Sequence, residues 1–82
     1  MERMSARYVA KKVGMTTQWV YDLWNEMGLI IKDNFGDWVL TDLGKQNSGR
    51  MSKSNHLPVP SFDFGIIEKL MIDFYNNKKN KM

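Results

Sequence analysis

The sequence predicts a mainly α domain with one small β-hairpin, and three observations carry that expectation. Ala10, Gly14 and Val20 stand in an A-x3-G-x5-V frame. Two β-prone runs, LIIK (29–32) and WVLT (38–41), flank a turn rich in Asp and Gly. Ile66, Ile67, Leu70, Met71 and Phe74 form an apolar stripe at helical spacing. The frame has a physical reason at each position. Two helices crossing steeply need a small side chain where their backbones approach, a residue tolerant of φ > 0 in the turn, and an apolar anchor on the second helix. Ala10, Gly14 and Val20 meet those needs in order, which is the spacing of a helix-turn-helix.

Ser5 is placed to cap a first helix whose apolar residues Ala6, Val9, Ala10 and Val13 fall on one stripe, and Gly14 ends it. Arg7, Lys11 and Lys12 lie off that stripe, free to stay solvated or to reach a phosphate backbone. The second helix starts at the Thr16 cap and runs to Met27 before Gly28, burying Val20, Leu23, Trp24 and Met27. By elimination Thr16, Thr17, Gln18, Tyr21, Asp22 and Asn25 point outward. Thr16, Thr17, Gln18, Tyr21 and Asn25 are base-reading side chains by type. Gln and Asn donate and accept together at an adenine edge, and Tyr contacts a thymine methyl or a phosphate. Asp22 suits DNA less, because a carboxylate is tolerated there only when it accepts from a cytosine amine or pairs with a basic side chain.

A hairpin directly behind the second helix of such a motif is a wing. Its tip, Asp33-Asn34-Phe35-Gly36-Asp37, is acidic and carries an exposed aromatic, which counts against insertion into a groove. Thr41 is placed to cap the short turn DLGKQ, and the polar stretch that follows reads as a loop with Lys45, Arg50 and Lys53 as phosphate-binding side chains. Pro58 and Pro60 hold the chain extended and exclude a central strand there. Asp63 then caps a last helix, whose stripe Ile66, Leu70 and Phe74 exceeds what one thin core covers, so a homodimer through this helix is expected. The fold expected is a winged helix-turn-helix plus a C-terminal helix. It forms one domain over 1–82, with the helix-turn-helix at about 5–28, wing at 29–41, basic loop at 45–57, helix at 64–77 and frayed tail at 78–82.

Composition narrows the function. At 82 residues, 43% hydrophobic and 26% charged, the chain should fold around a small core, and with no Cys it lacks disulfides and thiolate metal sites. Neither an apolar leader nor a membrane span is apparent, so a cytoplasmic location without a membrane partner is expected. The net charge of +3 is unevenly spread. Residues 1–15 and 45–56 are basic, whereas residues 16–44 set Lys32 alone against Asp22, Glu26, Asp33, Asp37 and Asp42. His56, the one histidine, has no neighbours of catalytic type, and neither a nucleophile elbow nor a glycine-rich phosphate cradle is present. The expectation is a binding protein and not an enzyme, with no metal and no cofactor.

The segments AKKVGMTTQWVYDLWNEMGLI and GDWVLTDLGK resemble the small winged-helix domains of phage and mobile-element regulators, most of all the C-terminal module of phage antirepressor proteins. The likeness covers about residues 5–46. It implies a winged helix in a phage-derived transcriptional or antirepressor-type regulator. Residues and resemblance together lead to a sequence-specific regulator that binds double-stranded DNA. The alternative is a phage-encoded protein-binding module, antirepressor-like or a host-protein inhibitor, that keeps the fold and engages a protein partner through Asp22, Asp33, Phe35 and Asp37.

Overall fold

The computed structural model describes residues 2–54 and 57–80. The elements run β1 (Arg3–Ser5), α1 (Ala6–Val13), α2 (Thr17–Glu26), β2 (Ile30–Lys32), β3 (Trp38–Leu40), α3 (Asp42–Gln46), β4 (Arg50–Ser54), β5 (Leu57–Asp63) and α4 (Phe64–Asn80). They make an antiparallel three-stranded sheet in the order β1-β5-β4 and a separate two-stranded β2-β3 hairpin. With four helices and two small antiparallel sheets the fold is mixed α/β, which corrects the expectation of a mainly α winged helix-turn-helix with one hairpin.

The helical half follows from its caps and stripes. Val9, Ala10 and Val20 are buried where α1 meets α2. Gly14 takes φ 73° between the helices, and the Met15 N–H returns to the Ala10 carbonyl at 3.0 Å. The Thr16 hydroxyl accepts from the Trp19 N–H at 3.0 Å, which satisfies one of the open donors of the first turn of α2. At the far end the Leu29 N–H bonds back to the Trp24 carbonyl and turns the chain into β2.

The extra sheet comes from two segments whose strand character was hidden. The expected basic loop over 45–57 contains α3 to Gln46 and all of β4. Its strand face carries no apolar signal because Ser52, which meets Ser61 of β5, is polar. The Ser52 hydroxyl meets the Ser61 hydroxyl at 2.6 Å, and Ser61, 1% exposed, also donates to the Arg50 carbonyl. The Pro58–Pro60 strap is β5, the central strand. It escapes the rule against central prolines because β1 reaches only Ser61–Asp63, leaving Pro58 and Pro60 on a stretch paired with β4 alone. Two residues apart, the prolines turn their missing donors to the same flank, the one β1 does not cover.

β1 had no sequence signal beyond alternation at Met4. Its pairing Arg3↔Asp63, Met4↔Phe62 and Ser5↔Ser61 buries Met4 and is extended by the Phe64 N–H bonding the Glu2 carbonyl at 2.8 Å. Arg3 donates to the Ser48 carbonyl at 2.7 Å and to the Ser61 carbonyl at 3.2 Å. Ser48 sits at φ 73° and its hydroxyl accepts from the Asp63 N–H. The corner between α3 and β4 is thereby tied to the sheet.

The Asp63 carboxylate caps α4 through the Ile66 N–H at 3.1 Å, and the helix spans Phe64–Asn80, past the expected end at 77. The rest of the expected tail, residues 81–82, lies outside the described residues, as does His56. The core gathers Met4, Val9, Val20, Trp24, Ile30, Phe62, Ile67 and Met71. Of the stripe expected to dimerise, Leu70 and Phe74 pack against this core while Ile66 stays outside, so that stripe is mostly spent within the chain.

Two glycines are held by different constraints, which separates their variants. A methyl added to Gly44 in α3 would strike the Leu29 carbonyl and lie 3.1 Å from Leu40 Cδ2, whereas one added to Gly14 would meet nothing within 4 Å. Gly44→Ala is expected to cost about 1–3 kcal/mol through the backbone collision. At Gly14 the cost lies in φ alone, so Gly14→Asn should stay near wild type while Gly14→Val loses on the order of 1–3 kcal/mol. Urea unfolding of the three variants measures the order.

Candidate nucleic-acid interface

The outer face of α2 begins at its cap. Thr16 is exposed but its hydroxyl is committed to the Trp19 N–H, and Thr17 is half-buried. Gln18, Asp22 and Asn25 form the exposed polar row that follows. Gln18 Nε2 donates to Asp22 Oδ1 at 2.9 Å. This contact fixes both side chains and leaves Gln18 Oε1 and Asp22 Oδ2 as acceptors. Asn25 Nδ2 donates to the Ile30 carbonyl at 2.9 Å, which leaves its oxygen and its second N–H unspent. The row is rich in acceptors.

Tyr21 departs furthest from the expected outward face. Its ring stacks on Trp38 of β3 with centroids 5.5 Å apart and planes at 12°, and it meets Trp24 edge-on. Aromatic area that could have met a base instead joins α2 to the β2-β3 hairpin. A shallow cleft of about 220 Å³ runs beside this stack, lined by Tyr21, Trp38, Met51 and Pro60 with Asp33 and Asp37 at its rim. Asn25 also supports the fold, since its amide holds β2 against the end of α2 while the side chain stays exposed.

The hairpin tip is ordered by its own carboxylate. Asp33 Oδ1 accepts from the Phe35 and Asp37 N–H groups at 2.9 and 3.0 Å, and Phe35 is 87% exposed. Asp22, Asp33 and Asp37 are all exposed, so the four residues of the protein-binding alternative do reach solvent, with Asp22 on a different element from the other three.

Arg7, Lys11, Lys12, Lys45 and Arg50 are exposed. Lys11 lies over the Tyr8 ring and Lys12 over the Phe64 ring, each 5.8 Å from the centroid, so both have partners within the chain. Lys45 is in the last turn of α3, and Arg50 opens β4. The backbone of Lys53 belongs to β4, and its side chain lies outside the described residues. Two features of this region went unread in the sequence. Lys32 sits over Trp38 at 5.1 Å, and Lys78 of α4 pairs with Glu26 of α2 at 3.0 Å. The first could have been sought from the i, i+6 hairpin spacing; the second joins residues 52 apart, with no local signal.

Among the described residues no group of three or more His, Cys, Asp or Glu could hold a metal ion, and no helix is long and apolar enough to cross a membrane. Comparison with protein-family models, curated proteins and solved structures finds no match.

Burial pushes the Tyr21 hydroxyl above the ordinary tyrosine value of 10.0. The unfolded chain therefore releases this proton first as pH rises, and the neutral ring stabilises the fold fully below pH 10.0, with that contribution lost as pH climbs through the raised value. Tyr21→Phe keeps the stack and removes the proton. Its stability should fall less steeply above pH 10.0 than that of wild type in parallel urea titrations; equal slopes would contradict the assigned burial.

Proposed function

We propose that this chain is a sequence-specific DNA-binding regulator of the phage or mobile-element type, with α2 as its reading helix. The observation that carries the reading is the exposed row Gln18, Asp22 and Asn25 on a helix set against α1 by the left-handed Gly14 turn. Polar side chains with fixed orientation on an outward helix face suit the edges of base pairs in a major groove. Because the Gln18–Asp22 contact uses one of the two Gln18 amide donors and the Asp22 carboxylate only accepts, acceptors outnumber donors on the row and favour the amino groups of adenine and cytosine over the guanine edge. Arg7, Lys11 and Arg50 supply phosphate contacts from α1 and β4, which position the helix without reading sequence. The protein on this reading binds and does not catalyse, and acts in the cytoplasm beside the genome it regulates.

Asp22 gives the test its sign. A carboxylate facing DNA repels phosphates and lowers affinity for every sequence, while accepting from one base amine raises preference for that base. Asp22→Asn is expected to strengthen non-specific binding and to relax selection from a random duplex pool. Gln18→Ala should lower preference for the selected site by about 1–3 kcal/mol. Lys11→Ala and Arg50→Ala should weaken binding to all duplexes and reduce the salt slope by roughly one each. A folded wild type that retards no duplex at low salt removes the DNA reading.

A second reading is favoured by Phe35, 87% exposed on a tip whose backbone is fixed by Asp33. An exposed apolar side chain carried between two carboxylates suits a basic protein surface. Under that reading Phe35→Ala abolishes capture of a protein partner and leaves duplex binding unchanged.

A further inference from the structure

A cleft of about 480 Å³ opens between α2 and α4. The two helices are joined in the core by the Trp24 N–H on the Met71 sulfur and at the surface by Lys78 on Glu26. Trp19, Asp22 and Glu26, at steps of three and four along one side of α2, form one wall, and Tyr75 with Lys78 of α4 forms the other. Trp19 and Tyr75 carry the cleft on into a second one of about 420 Å³, where Val13, Met15, Glu68 and Ile72 join the lining. Met15, Ile72 and Tyr75 are 45%, 53% and 57% exposed, so the groove offers apolar surface that the described residues leave uncovered.

The charges around the groove say what covers it. Asp22, Glu26 and Glu68 set three carboxylates against the single ammonium of Lys78 among the described lining residues, on a chain whose net charge is +3. A cation already settles here in the free chain. Lys78 Nζ lies 3.0 Å from Glu26 Oε2, and with both side chains more than half exposed that pair exchanges at little cost. Asp22 keeps Oδ2 as an acceptor, because Gln18 takes only Oδ1. Trp19 and Tyr75 add aromatic walls beside these carboxylates, a setting that suits a long cationic side chain with an apolar stem.

We propose that the α2–α4 groove binds a basic segment of another protein. Apolar side chains of the segment cover Met15 and Ile72, and a Lys or Arg enters between Trp19 and Tyr75 to reach Asp22 and Glu26. The same carboxylates turn nucleic acid away from this groove. Apart from Asp22, which also belongs to the outer row of α2, the groove uses none of the residues given to DNA contact or to the hairpin tip, so the proposal stands or falls apart from both readings.

Selection from a phage-displayed library of random linear peptides, with the folded chain as bait, tests it. The enriched peptides should combine Lys or Arg with apolar residues. A synthesised winner should shift the Trp19 indole NMR signal, leave that of Trp38 in place, and lose affinity as salt rises. Glu26→Lys should weaken this peptide about three- to thirtyfold, and Lys78→Ala should tighten it about two- to fivefold, because the first removes an acceptor and the second its internal competitor. Both variants break the same exposed ion pair, so a merely structural effect would move them in one direction. Enrichment of acidic or uncharged peptides, or of none, overturns the proposal. So does a winner that binds Glu26→Lys as tightly as wild type, or one that Lys78→Ala weakens.

Discussion

Trp24 is the point at which the layers of this small domain meet. Its indole is fully buried, packs edge-on to Phe62 at 4.8 Å with planes at 73°, and donates its N–H to the Met71 sulfur at 3.5 Å. One side chain of α2 thus touches the central strand and the C-terminal helix together. A buried indole needs a partner for its single donor, and a thioether is a soft, adaptable acceptor that also fills space. In a chain of 82 residues there is little other apolar volume to hold these elements in register. The orientation of α2, and with it the direction its outer face looks, is set from inside by this contact.

The inner constraint explains the uneven legibility of the sequence. Helices announce themselves locally. Gly14 at its turn and the caps of Thr16, Thr41 and Asp63 are each readable from a few neighbouring residues, because a cap bonds to backbone three positions away. The sheet does not. β1 is three residues long, β4 hides its inward face behind a serine pair, and β5 carries two prolines that fit because β1 is short. None of these can be known without the partner strand, and so the chain reads as more helical than it is.

The same division runs through the candidate site. Residue type placed Gln18, Asp22 and Asn25 on the outer face, and all three are exposed there. Type could not say what those side chains already hold. Tyr21 is claimed by Trp38, Asn25 by the Ile30 carbonyl and Gln18 by Asp22. Each commitment lowers the side-chain freedom that binding would otherwise have to freeze, and each also restricts the hydrogen bonds that remain. The helix face is therefore narrower in chemistry than its composition suggests, and better ordered.

The pairing of β1 with β5 has a consequence for how the molecule forms. Its contacts join Arg3 to Ser61, residues 58 apart, while α1, α2 and the β2-β3 hairpin are built from neighbours. Closing a loop of that length costs entropy before any strand contact offsets it. The helix pair and both hairpins, β2-β3 and β4-β5, can thus form from neighbouring residues, and the β1 edge of the three-stranded sheet closes last. Until that closure the edge of β5 that β1 covers is open to any extended chain, so the interval between collapse and closure is when this protein is most exposed to aggregation.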